Sequence, residues 1–273
     1  YIYFNCDDYT NQTSSTCETW RIIGVFEGKV KIMRGSQIGT YSWDNKNAST
    51  GAETANGKND WSTARLMKLL NPSDYYEVDS NDNEIGQSLY WNRKSGTCFA
   101  GQNNATKSCN FTSTGINDIT RNMISESTWR IGYGTSGTYL YANDIYIEEE
   151  STNSSYLSKW IGKIALLNLS DYSYAIDLSK CSYASGHSSY TGSACTSNNW
   201  MHSVITSDTW TLGISTAINY SKTQAWYISS NGNAGTTNTY YEKAIFPVLN
   251  LKLDVMISKK TTGEYRNPYK ILP

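Results

Sequence analysis

The sequence predicts an α+β fold: a mixed, β-rich sheet that carries two short helices and disulfide-stapled loops. Three observations point there. Apolar runs rich in β-branched and aromatic residues alternate with stretches of Asn, Ser, Thr and Gly, the pattern of strands joined by turns. Two segments instead place apolar residues at helical spacing. Six cysteines fall as three local couples, Cys6 with Cys17, Cys98 with Cys109, and Cys181 with Cys195, each enclosing a short polar loop.

Taken in order, residues 1–19 are polar and Tyr-rich. WRIIGVF (20–26) and KVKIM (29–33) read as a hairpin turning at Glu27-Gly28. A polar loop covers 41–60. The first helix is expected in WSTARLMKLLNP (61–72), capped by Asn59 or Asp60, with Trp61, Ala64, Leu66, Leu69 and Leu70 on its inner side and Pro72 stopping it. LYW (89–91) reads as a short strand. The second helix is expected over 113–125, with Ile116, Ile119, Met123 and Ile124 facing inward. WRIGYG (129–134) returns to strand character. TYLYANDIYI (138–147) reads as a strand, and Glu148 to Glu150 as a solvated acidic run. WIGKIALLNL (160–169) reads as a strong, central strand. The C-terminal stretch 210–255 reads as three strand-like pieces, WTLGIS, AWYISSNGNAG and AIFPVLNLKLDV, separated by two polar runs.

A chain of 273 residues buries enough surface for a core without help from disulfides. Polar loops are spread evenly and no linker stands out, so a single extracellular domain over 1–273 is expected. Within it, 20–134 holds the hairpin and both helices, and 160–273 holds the C-terminal sheet. A formal net charge of −1 with no Lys/Arg cluster excludes a nucleic-acid footprint. No apolar run reaches the roughly 20 residues of a membrane helix. The opening decapeptide lacks the basic and apolar regions of a signal peptide, so an exported form is expected to be mature or an excised ectodomain. With 22 Tyr and 9 Trp against 5 Phe, the aromatic content favours rings with one polar edge, suited to half-wet surfaces.

Cysteines carry the compartment signal. Nearest-neighbour pairing is the expectation, because each loop is then a self-contained staple. Zinc is the competing reading, but the tight CxxC spacing it favours is absent. Disulfides imply an oxidising, extracellular or cell-surface location. His187 and His202 are the only histidines, and neither sits in a nucleophile motif. Among carboxylates, Asp171, Asp177, Glu53 and Glu126 form no evident catalytic pair, so no catalytic residue is assigned and no enzyme is expected. Asp79, Asn81 and Asn83 form a D-x-N-x-N pattern whose alternate oxygens suit calcium. The EF-hand pattern then fails at Glu84 and Tyr90, and a solvated turn is the plainer reading. No Gly-rich phosphate loop follows a strand, so no nucleotide cofactor is expected.

The polar runs 215–224 and 229–243 are the candidate contact face, since recognition commonly sits on loops held by a rigid sheet. Trp210, Tyr220, Trp226, Tyr240 and Tyr241 would supply stacking groups, with Asn231, Asn233 and Asn238 as adaptable polar partners.

The order WTLGIS, AWYISSNGNAG, AIFPVLNLKLDV, NPYKIL resembles the C-terminal part of a family of uncharacterised surface proteins of Gram-positive gut bacteria. WRIIGVF, VKIMRGSQIGTYSWDN, NDWSTARLMKLLNP, SLYWN and KIALLNLSDYSYA upstream also resemble it. The C-terminal pattern is similar to the C-type-lectin-like fold of formylglycine-generating enzymes and of variable proteins of diversity-generating retroelements. Related proteins often carry a type IV pilin-like N-terminal helix. The resemblance implies a C-type-lectin-like sheet whose last strands display ligand-binding positions. One departure stands out: where the family has G-V-R-P, this chain has Ala244-Ile245-Phe246-Pro247, so the usual Arg is replaced by Phe246. The cysteine couples do not match the catalytic pair of the formylglycine enzymes, and that activity is not carried over. The expected function is a non-enzymatic binding module, an adhesin or receptor-type domain on a bacterial surface or pilus, with a glycan or a host or neighbouring-cell protein as partner. The alternative is a self-assembling pilin or filament subunit whose contacts are with its own copies.

Overall fold

A computed structural model describes residues 1–45, 55–78, 81–82, 84–134, 142–151, 157–181, 193–215 and 222–272. The chain opens with β1 (Ile2–Phe4) and the hairpin β2 (Glu18–Phe26) and β3 (Lys29–Arg34). The hairpin turns at Glu27 and Gly28, with φ of 49° and 77°. Positive φ at both central residues is the turn whose twist matches that of the flanking strands. A register shift between Ile22 and Gly24 marks a bulge in β2. β4 (Thr40–Ser42) follows, then α1 (Arg65–Leu70). This helix is shorter than expected at its start. Asp60 Oδ1 accepts from the Ser62 backbone N–H at 3.1 Å, closing a separate turn, and Asp44 Oδ1 accepts from the Arg65 backbone N–H at 3.2 Å.

The residues expected as a strand at 89–91 form a turn instead, with Leu89 and Tyr90 fully buried. β5 (Ser95–Phe99) and β6 (Thr106–Asn110) make a hairpin tied by one disulfide. The second helix shrinks to α2 (Asp118–Arg121), capped by Asn117 Oδ1 accepting from the Thr120 backbone N–H at 2.8 Å. Ile116 and Ile124 are buried as expected, whereas Ile119 points outward at 55% exposure. β7 (Ser127–Arg130) and β8 (Tyr133–Gly134) come next.

The described part of the strand expected at 138–147 belongs to a helix, α3 (Ala142–Glu150), because Ala142, Ile145 and Glu149 share one buried helical face. The acidic run is therefore not uniformly solvated. The strong strand expected at 160–169 is split into β9 (Lys159–Gly162) and β10 (Ile164–Ala165), and its end starts α4 (Leu169–Tyr174). β10 lies at the edge of its sheet rather than in the centre. The switch from strand to helix is made by a capping box: the Asn168 side chain takes the third helical N–H while Asp171 Oδ2 accepts from the Asn168 backbone N–H at 2.9 Å.

The chain ends with α5 (Ser193–Ser197), β11 (Thr209–Ser215), β12 (Gln224–Ile228), β13 (Ala234–Asn238), β14 (Glu242–Ala244) and β15 (Val248–Asn250). Two main sheets result. One orders β1-β2-β3-β15-β10; the other orders β13-β12-β11-β14-β4, with β8 joining β11. The stretch 210–255 therefore serves both sheets, with Pro247 between β14 and β15 where the chain changes over. Proline lacks the N–H a ladder would need, which suits it to that break. Mostly sheet with few, short helices, the molecule is α+β. Among the described residues five helices are present rather than two.

The core is aromatic. Trp43 and Trp61 lie 5.1 Å apart between ring centroids, and Trp61 meets Trp160 edge-on at 6.1 Å. Such tilted and edge-to-face pairs add to plain burial. The three disulfides join Cys6 to Cys17, Cys98 to Cys109, and Cys181 to Cys195. Among the described residues no helix is long and apolar enough to cross a membrane.

Candidate functional site

The loops between the last strands do not present the aromatic face expected of them. Trp210 is fully buried and Trp226 is 4% exposed. Trp210 Nε1–H donates to the Tyr41 carbonyl at 3.1 Å, and the ring lies inside the core. These two residues hold the sheet and offer no open face for stacking: β11, which carries Trp210, is buried along its length, and Trp226 sits at a buried position of β12. Tyr240 and Tyr241 stack on each other at 4.4 Å, and Tyr241 is about half exposed. The Asn residues work locally. Asn231 Oδ1 accepts from Ser229 Oγ at 2.5 Å, the Asn233 backbone N–H donates to Ser229 Oγ at 3.1 Å, and Asn238 Oδ1 accepts from Thr223 Oγ1 at 3.0 Å. Tyr220 lies outside the described residues, as do His187, Asp79 and Asn83. Asn81 of that calcium pattern is exposed. Among the described residues no group of three or more His, Cys, Asp and Glu could hold a metal. Phe246, at the departure from the family pattern, is a core residue. His202 Nδ1 stands 3.2 Å from the Tyr172 hydroxyl.

The concavity with the most unusual chemistry lies elsewhere. It is a two-lobed cleft between the tip of the β2–β3 hairpin, β7, α3 and the start of α4, with lobes of about 270 and 340 Å³. Phe26, Tyr146, Ser170 and Asp171 line both lobes. The first lobe is polar at its floor. Lys31 Nζ contacts Asp171 Oδ2 at 2.5 Å and donates to Asn168 Oδ1 at 3.1 Å. Both partners of this ion pair are buried, with side chains 7% and 3% exposed. The ammonium also sits 5.0 Å from the Phe26 ring centroid and 5.6 Å from that of Trp129, within the range of cation–π attraction.

Glu149, from α3, enters the same floor. Its carboxylate accepts from the Ser170 backbone N–H at 3.1 Å and from Ser170 Oγ. Burial pushes its carboxyl up to about 7; neighbouring Asp171 adds to the rise, while the Ser170 hydrogen bonds and Lys31 oppose it. Arg130 Nε pairs with Glu150 Oε2 at 3.1 Å at the rim. The second lobe is more apolar and is lined by Ile23, Phe26, Tyr146, Tyr174 and Trp200. Phe26, Tyr146 and Tyr174 are 39%, 40% and 50% exposed. The site thus joins a buried, hydrogen-bonded polar floor to open aromatic rings. This is the composition of ligand pockets: mostly apolar walls with a few placed polar groups. A strongly shifted carboxyl inside a cleft adds to the case.

No model of a known protein family, no curated protein and no solved structure matches the chain.

Of the cleft residues, only Asp171 stood among the sequence candidates, and without its partners. Two signals were available. Asn168 and Asp171 in NLSD are spaced as a capping pair, and Ala142, Ile145 and Glu149 are spaced as one helical face.

Proposed function

We propose that the protein is an extracellular, non-enzymatic binding module of adhesin or receptor type, displayed on a bacterial surface or pilus, and that it takes its glycan or protein ligand in the two-lobed cleft. The observation that carries this reading is the union of half-exposed Phe26, Tyr146 and Tyr174 with the buried Lys31–Asp171–Asn168 cluster beneath them. Rings at the rim provide contact area at little entropic cost, and the fixed polar floor provides orientation. Three disulfides are compatible with an oxidising compartment and support an extracellular placement. A C-type-lectin-like relation between the final strands and the rest of the sheet belongs to the same reading and is suggested by the resemblance of 210–255.

The test is a glycan and host-protein array probed with purified wild type and two double variants. Phe26→Ala with Tyr146→Ala is expected to lose at least about tenfold in retention, as for anchor aromatics whose truncation costs more than about 1 kcal/mol. Tyr240→Ala with Tyr241→Ala is expected to bind like wild type. The opposite pattern returns the binding face to the 229–243 loop.

A further inference from the structure

Resting on the cleft as the binding site, we infer that its ligand is a neutral, hydroxyl-rich ring, a saccharide unit, seated by Asn250 and Lys31. The first observation is that the buried floor is already paired. The buried cation Lys31 is matched by Asp171 and Arg130 at the rim by Glu150, while Lys29 and Glu27 at the hairpin tip line the same lobe as one cation and one anion. An ionic ligand on the floor would have to break the Lys31–Asp171 pair or stand buried beside it uncompensated, both of which are costly. A neutral ligand meets neither penalty.

The second observation is an unused donor beside an unused acceptor. Asn250 lines the same lobe, is 7% exposed, and its Oδ1 is buried with no hydrogen-bond partner. Native structures rarely leave such an oxygen unpaired. Asn250 is the direct cross-strand partner of Lys31 in the antiparallel β15–β3 pair, so the two side chains emerge on one face. Lys31 spends two of its three N–H groups on Asn168 and Asp171; the third has no acceptor among the described residues. A hydroxyl answers both at once, donating to Asn250 Oδ1 and accepting from Lys31 Nζ. Asn250 lines the lobe while its Oδ1 is buried, so this contact requires the amide to turn about its soft χ2 torsion.

The third observation is the wall. Sugar rings carry apolar C–H faces beside their hydroxyls, and half-exposed Tyr146, Phe26 and Tyr174 border the polar floor on the apolar side. A peptide N–H only donates and its C=O only accepts, whereas one hydroxyl does both at a single point. A polyol brings several.

Saturation-transfer NMR provides the test. The probes are the methyl β-glycosides of glucose, galactose and N-acetylglucosamine, with inorganic phosphate, tetramethylammonium and a neutral Gly/Ala peptide as comparisons. At least one glycoside is expected to bind wild type, while Asn250→Leu and Tyr146→Ala each weaken it by about tenfold, the effect of one lost hydrogen bond or ring contact. Thermal unfolding of both variants checks that they fold. Binding of a charged probe or the peptide but no glycoside, sensitive to both variants, overturns the saccharide class and leaves the cleft as the site. Glycoside binding unchanged in both variants overturns the cleft itself. Silence from all probes overturns the ligand class.

Discussion

At the residue scale, the cleft rests on two buried charges with different histories. Lys31 and Asp171 neutralise one another, and Asp171 also holds the backbone N–H of Asn168. Removing one partner leaves the other charge buried and unpaired. Lys31→Met is expected to lower stability by about 3 kcal/mol in urea denaturation, and adding Asp171→Asn is expected to restore part of that loss. A single variant as stable as wild type would show that the pair is not desolvated. Glu149 behaves differently. Its carboxyl sits at about 7 in the fold against an ordinary 4.5. Between those values the folded chain keeps a proton that the unfolded chain has released. Stability therefore falls as pH rises through that window, and the full deficit, about 3 kcal/mol, is present above it. Glu149→Gln removes the titration. Its stability relative to wild type is expected to improve from pH 4.5 to about pH 8, read by thermal or urea unfolding; a flat difference contradicts the assignment.

At the element scale, the cleft depends on α3 lying close against the link between β7 and β8. Gly132 makes that approach. Its φ is +60°, and a Cβ placed there would stand 2.3 Å from Glu149 Cα, a backbone atom that cannot step aside. Gly132→Ala is expected to cost about 2 kcal/mol or more and to weaken ligand binding together with stability, because α3 must move. Unchanged melting would mean that α3 is not seated where the cleft requires it. The elements also show what could be read from sequence and what could not. The Glu27-Gly28 hairpin was legible because the turn chemistry and both strand patterns are local. The cysteine couples were legible because each pair closes its own loop. α4 was missed because the apolar run 160–169 has strand composition throughout, and only the spacing of Asn168 and Asp171 announces the change to helix. α3 was missed because aromatic and β-branched residues in 138–147 outweighed the helical spacing of Ala142, Ile145 and Glu149. Tertiary burial, not propensity, decided both.

At the scale of the whole molecule, the candidate site could not be assembled from sequence at all. Its parts come from β2, β3, β7, α3, α4 and β15, which only the folded topology brings together. Trp210 and Trp226 misled for a related reason. A Trp-rich stretch between polar runs looks like a display surface, yet β11 is buried along its whole length and Trp226 sits at a buried position of β12, and rings of that size are what fills such a core. The stretch 210–255 is scaffold for both sheets, and β15 at its end delivers Asn250 to the cleft. A filament subunit would place its contacts with other copies on exposed side chains such as Leu253, Met256 and Tyr265, well exposed here. Exposed apolar side chains are ordinary on folded surfaces, and by themselves they do not favour assembly over binding.

Where the ligand lands decides most directly between the cleft and the 229–243 loop. Hydroxyl-radical footprinting of the wild-type protein, with and without the array-selected ligand, reads this at single aromatic side chains. Protection of Phe26, Tyr146 and Tyr174 with unchanged labelling of Tyr240 and Tyr241 is the expected result. Protection confined to Tyr240 and Tyr241, with the cleft rings labelled as before, would contradict it.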